Sequence, residues 1–381
     1  MEISREILTR VTILDISVIL MYIIGIVALA QKFRDVSTKF IRLFLFIGIT
    51  HLFFTFVYYF YTLNNVADSI GYYRRVLYLY DSWGETFGQG TTFIYFTLYP
   101  LVKYIGLTYF GSFFIYSFFG LLGYYFLLKI LIKISGGTWS PIFFLMLMPN
   151  LHFWTVAIGK DSLIFFGISL LAYLYFLNKN WYYYILPVLV IGFIRLHILF
   201  LIISALGFAL LFLNKKIKTF YKVIFAFFTP VVVYLLFPLV ISRLGFSMDE
   251  SLFDQFEMLE NKKLLGGSSI DLAGENIIVK WFSYVFRPFF FDSHNGFTLI
   301  ASVENLIWVL MFIIILKNFK KKLQEQFRHI YWFSFFAIFT VTVPSAFILI
   351  NLGIAVRQKT MVIPFLFMVF FLSIFRLKSV K

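Results

Sequence analysis

The sequence predicts an all-α, polytopic integral membrane protein, and three observations predict it. The first is composition. Of 381 residues, 61% are hydrophobic and 13% charged, with mean hydropathy +0.90, whereas a soluble domain carries about 25% charged residues. The second is run length. Apolar stretches of about 18 or more residues, enough to cross a hydrocarbon core as a helix, recur from end to end. The third is the placement of charge. Basic residues crowd short loops: Lys32, Arg34, Lys39 and Arg42; Lys215, Lys216, Lys218 and Lys222; Lys317, Lys320, Lys321, Lys322 and Arg328; Arg376, Lys378 and Lys381. Asp68, Asp81, Glu85, Asp161, Asp249, Glu250, Asp254, Glu257, Glu260, Asp271, Glu275 and Asp292 fall in the alternate loops. This is the positive-inside bias.

Each element follows in order. Residues 11–30 run inward. No small-residue cleavage site follows them, so they read as a retained span and not a signal peptide. Residues 43–63 return outward, and 64–93 form a first large outer loop. Residues 94–111 read as a shallow helix at the outer surface, and 112–134 go inward. Residues 138–155 and 162–177 form an outward–inward pair around the Gly-Lys-Asp segment. The run 182–213 is long for one span and is interrupted by Arg195 and His197. As a single span it would place Lys129 and Lys133 outside; as two short helices meeting at Arg195–His197 it keeps the bias intact. Broken helices of this kind line protein or water cavities. Residues 219–241 go outward, and a second, acidic outer loop, 243–297, holds an amphipathic helix around "DESLFDQFEMLENKKL". Residues 298–316, 330–350 and 360–376 complete a single domain of about eleven spans with its N-terminus outside.

Composition also excludes chemistry. There is no cysteine, which rules out disulfides, Fe–S clusters and thiol catalysis. The five histidines lack zinc-ligand spacing, so neither a metal nor another cofactor is expected. The net charge of +15 follows loop topology at a lipid bilayer, which argues against a nucleic-acid partner.

Charges at membrane depth cost about 2.5–3.5 kcal/mol each on insertion scales, so those that break apolar runs ask for a reason. Four interruptions open on the outer side: "PNLHFWTVAIGKDSLIFFG" with His152, Lys160 and Asp161; "FIRLHILFLI" with Arg195 and His197; "FRPFFFDSHNGF" with Arg287, followed by Glu304; and "NLGIAVRQK" with Asn351, Arg357, Gln358 and Lys359. Arginines and lysines gathered at a membrane-edge cavity suit a diphosphate, whose oxygens match guanidinium forks. The first interruption reads as a helix hairpin that turns at the outer surface and offers its polar tip to a substrate. The plainer alternatives are snorkelling or mutual pairing of these charges, a helix cap for Asp161, and neutralisation of an arginine by Glu304. Asp68, near a span end, is placed to take a proton from a sugar hydroxyl; a cap, or a pair with Arg74 or Arg75, is the alternative. His197 is the other candidate base.

Together these four motifs resemble the polytopic proteins of bacterial polysaccharide gene clusters: Wzy-like O-antigen and capsule polymerases and the related GT-C-type membrane glycosyltransferases. The likeness runs from about residue 64 to 370. It implies transfer of a glycan from undecaprenyl diphosphate to a glycan acceptor on the outer face of the bacterial plasma (inner) membrane. An undecaprenyl-diphosphate-linked saccharide would be the substrate, and a chain-length regulator and a flippase would be the partners. It assigns the diphosphate to Arg195, Arg287 and Arg357. The sequence carries His197 where a proline–histidine pair is more usual after the arginine. The resulting expectation is a metal-independent inverting transfer, with the cations stabilising the departing diphosphate. A transporter or flippase of lipid-linked saccharides is the rival reading, and a membrane acyltransferase or phosphotransferase a weaker one.

Overall fold

The computed structural model describes residues 4–213, 217–224, 270, 272, 275–320, 323–347 and 351–375. The expected span at 219–241 lies largely outside them, and the amphipathic helix in the second loop lies wholly outside. Among the described residues six helices are long and apolar enough to cross a membrane: Ile13–Gln31, Thr38–Asn64, Tyr109–Ile134, Trp181–Leu213, Gly296–Asn318 and Glu325–Phe347. A helix pair bent by 63°, Leu352–Met361 with Ile363–Ile374, makes a seventh if counted as one span. The chain is therefore a multi-pass helical membrane protein by the length and composition of its helices. It divides into two compact units, Met1–Leu196 and His197–Ser379.

The first unit is built on α2 (Ile13–Gln31), α3 (Thr38–Asn64), α6 (Tyr109–Ile134) and α8 (Lys160–Phe176), after a short α1 (Arg5–Thr9). Thr12 and Asp15 form a capping box that starts α2, and Thr108 caps α6, each satisfying backbone donors at a helix start. Contacts fix the directions. Asp15 meets Thr108, Tyr22 meets Ser117 and Phe33 meets Tyr125, so α2 and α6 run parallel. Phe44 packs on Phe33 and Tyr59 on Phe110, so α3 runs against both. Phe119 packs on Phe166 and Phe126 on Tyr173, so α8 runs with α6. Lys32, Arg34, Lys39, Lys129, Lys133 and Lys179 consequently gather at one end of this bundle, as the charge bias requires.

Residues 138–155 are not one continuous helix. Pro141 and Pro149 each remove a backbone donor and fix φ. The stretch divides into a 3₁₀ segment (Pro141–Leu147) and a short helix, α7 (Pro149–Thr155), which climb toward the other end of the bundle. There, α4 (Asp68–Tyr78) and α5 (Thr91–Tyr99) form the first loop region, with a π turn (Pro100–Tyr104) after α5 where a shallow helix was expected.

Helix α9 (Ile185–Leu213) belongs to the first unit up to Leu196 and to the second beyond it. It breaks at Arg195, whose φ −146° and ψ 76° are not helical. The second unit holds α10 (Ile277–Phe286), α11 (Gly296–Asn318), α12 (Arg328–Phe347), α13 (Leu352–Gln358) and α14 (Ile363–Ile374). Helix α12 packs on α10 and α14, and α11 packs on α14. Phe212 lies on Trp332 at 4.2 Å between ring centroids, joining the end of α9 to α12.

Candidate functional site

The break in α9 is the first place where predicted residues meet. The Phe193 carbonyl accepts a 2.7 Å hydrogen bond from the Gly90 N–H. The Phe193 ring stacks on Phe93, with centroids 5.1 Å apart. The first loop thus supplies a partner for a carbonyl at the kink, as a buried backbone acceptor requires. Arg195 then turns a guanidinium nitrogen onto the Asp161 carboxylate at 3.2 Å. Asp161 is 1% exposed and Arg195 15% exposed by side chain. The Arg195 Nε is buried without a hydrogen-bond partner, so the guanidinium keeps an unused donor. Asp161 sits in the first turn of α8, not at its cap, which is Gly159.

The hairpin tip departs from expectation. Residues 155–159 are buried, and Gly159, at φ +158°, lies against the Tyr72 ring of α4. The turn is closed over and is not offered at the surface. Lys160 opens α8 half-buried. Asp68 begins α4 in an exposed position. Arg75, one of its expected partners, donates to the Tyr95 hydroxyl at 2.7 Å. Burial pushes the Tyr95 hydroxyl above its ordinary value against the opposing pull of Arg75.

His152 belongs to a different structure. It is fully buried and its Nδ1 stands 2.9 Å from the Nδ1 of His51. His51 lies at the midpoint of α3, about 20 Å from either end at the helical rise of about 1.5 Å per residue. Its Nε2 contacts the Ser117 carbonyl at 3.0 Å, and His152 Nε2 contacts the Met146 carbonyl at 3.1 Å. Tyr124 stacks on His152 at 4.4 Å, and Phe54 lies parallel to it at 5.8 Å. Beside the pair, Thr55 donates to the His51 carbonyl. Its single proton is thereby committed, so Ser117 donates to Thr55 at 2.7 Å and Tyr22 to Ser117 at 3.1 Å. Gly120 makes room: a Cβ there would stand 2.2 Å from the Thr155 carbonyl oxygen and 2.8 Å from His51 Nε2. Sequence reading missed His51, which carries no local signal beyond being a lone histidine inside an apolar run.

The second unit gathers most of the remaining candidates. Arg287 holds Asp292 through both its Nε, at 3.0 Å, and its Nη2. Burial would raise the Asp292 carboxyl, but the Arg287 guanidinium and the Phe289 N–H outweigh it and hold the group below its ordinary value. Lys359 is buried and donates to Asn305 Oδ1 at 2.6 Å and to the Arg287 carbonyl at 3.1 Å. Asn305 in turn donates to the Pro288 carbonyl. Glu304, also buried, interacts electrostatically with Lys359. Gln358 accepts from the Tyr284 hydroxyl at 3.2 Å, and Arg357 precedes it half-buried. Asn351 caps α13 by accepting from the Gly353 and Ile354 N–H groups, which gives it a structural role. His197 is exposed on α9.

Arg287 and Arg357 thus lie on adjoining segments of the second unit, and Arg195 lies in the first. No group of three metal-ligating side chains occurs among the described residues. No protein family, curated protein or solved structure matches this chain.

Proposed function

We propose that this protein transfers glycosyl groups from an undecaprenyl-diphosphate-linked glycan to a glycan acceptor at the outer face of the bacterial plasma membrane, as in polymerisation of surface polysaccharide repeat units. The observation that carries the reading is Arg195: a guanidinium at a break in an apolar helix, oriented by buried Asp161 and keeping a buried Nε–H without a partner. A cation held in place by a carboxylate and low in water is suited to an oxyanion that gains charge as a bond breaks. The departing lipid diphosphate is such a group. Arg287, fixed in geometry by Asp292, and Arg357 are given the same chemistry, with Lys160 beside Asp161 in sequence. The acceptor hydroxyl loses its proton to Asp68 or His197, and attack opposite the leaving group inverts the anomeric centre. The reading carries with it a GT-C-like plan of about eleven crossings and a chain-length regulator and flippase as partners.

The test is elongation by purified protein in detergent, supplied with undecaprenyl-diphosphate-linked repeat units. Longer glycans are expected on a gel, and Arg195→Ala and Arg287→Ala are expected to abolish them while leaving membrane insertion intact. Normal polymer from both variants removes the basis of the proposal.

A second reading, transport of lipid-linked saccharides, is favoured by one observation: the ionisable pair His51–His152 at mid-length of α3, where intramembrane polar groups mark substrate and proton paths in transporters. Movement of labelled lipid-linked saccharide across sealed vesicles without elongation would select it.

A further inference from the structure

We propose that His51 and His152 form a proton-binding site inside the membrane-spanning bundle, where the two imidazoles share one extra proton through their Nδ1 atoms. The inference depends on neither functional reading above. It rests on a count of protons against contacts. Three contacts hold the pair: His51 Nε2 to the Ser117 carbonyl, His152 Nε2 to the Met146 carbonyl, and Nδ1 to Nδ1 at 2.9 Å. A carbonyl oxygen only accepts, so each Nε2 must carry a hydrogen. A neutral imidazole has one N–H, and both are then spent. Two bare Nδ1 lone pairs would face each other at hydrogen-bond distance. One added proton between them turns that repulsion into an N–H···N bond and gives the pair a single positive charge.

The surroundings are those of a cation held by neutral partners. From α6 come the Ser117 carbonyl and hydroxyl and the Tyr124 ring, the latter stacked on His152 and edge-on to His51 at 5.3 Å. From α3 come Phe54, parallel to His152, and Thr55. The Met146 carbonyl arrives from the segment before α7, and α2 contributes the Tyr22 hydroxyl through Ser117. Tyr124 and Tyr22 are the titratable groups among these. No carboxylate, lysine or arginine pairs with either histidine among the described residues. Aromatic faces and carbonyl oxygens favour a delocalised cation. A metal fits less well. Two imidazoles on one tetrahedral zinc stand about 3.3 Å apart, and no third ligand is present among the described residues.

The experiment is ¹⁵N NMR of histidine-labelled, full-length protein in lipid nanodiscs, before and after chelator treatment, across pH 5 to 9. At the acidic end the expected result is three protonated ring nitrogens among the four of His51 and His152, with coupling between the two Nδ1 signals. As pH rises, both residues lose that proton in one shared step. His152→Asn offers an amide N–H to His51 Nδ1 and removes the need for the extra proton, so its His51 should show no such step. Two neutral rings with two protonated nitrogens throughout the range overturn the proposal. So does an unchanged His51 step in His152→Asn. A wild-type spectrum altered by the chelator and restored by zinc or copper replaces the proton with a metal. If the variant does not fold, the wild-type proton count decides alone.

Discussion

The two units tolerate buried ionisable groups in opposite ways. In the second, Lys359 meets Glu304, Asn305 and a carbonyl, so a cation faces an anion and two neutral acceptors. In the first, His51 and His152 meet carbonyls and aromatic rings without a counter-charge among the described residues. Asp15, in the same unit, lies between these cases. It is an anion surrounded by donors, accepting from the N–H and hydroxyl of both Thr12 and Thr108. Burial alone therefore does not define a role. What a buried ionisable group can do depends on whether opposite charge, hydrogen-bond donors or only neutral acceptors surround it.

Four substitutions test this contrast. The largest effect belongs to Lys359→Ala, which leaves the buried Asn305 Oδ1 and the Arg287 carbonyl without their donor. It should lower stability by about 3–5 kcal/mol for two lost charge-assisted hydrogen bonds, read by thermal unfolding in detergent. If the variant is as stable as the parent, these contacts do not hold the second unit together. Asp15→Ala leaves the Thr108 and Thr12 N–H groups unanswered and should cost about 2–3 kcal/mol in the same assay; a neutral result would show that water replaces the carboxylate. Gly120→Ala drives a methyl into the Thr155 carbonyl and His51 Nε2, and should cost about 1–3 kcal/mol. The smallest effect is pH dependence at Arg287–Asp292. Because the folded state holds the Asp292 carboxyl below its ordinary value, its contribution is present above the unfolded carboxylate range and fades as pH falls toward the depressed one. Asp292→Asn should therefore flatten the acid side of the stability profile, and an unaltered profile would count against the pairing.

The same contrast explains what the sequence discloses. Long apolar helices are legible because about 18 residues of one character exceed any local accident. The position of the break in α9 is legible because a guanidinium cannot sit cheaply in such a run, but in place of the expected pair of short helices the structure has one helix kinked at Arg195 and long enough for a single span. The stretch 138–155 misleads because hydropathy does not weigh Pro141 and Pro149, whose backbones end one turn and begin another. Arg195 with Asp161, and Lys359 with Asn305, depend on packing between residues far apart in sequence, as does His51 with His152. Asn351 could have been recognised as a cap from its place ahead of a short helix, since the capping hydrogen bonds reach two and three residues onward.

The Gly90–Phe193 bond has one more consequence. A carbonyl at the bend of α9 is answered by an amide of the first loop, so the two share one degree of freedom. Whatever draws Gly90 aside strips Phe193 of its partner and leaves the helix to straighten or to recruit water. A shift of Gly90 would thereby reach the backbone that carries Arg195, one covalent step beyond Ile194, without any side chain acting as messenger.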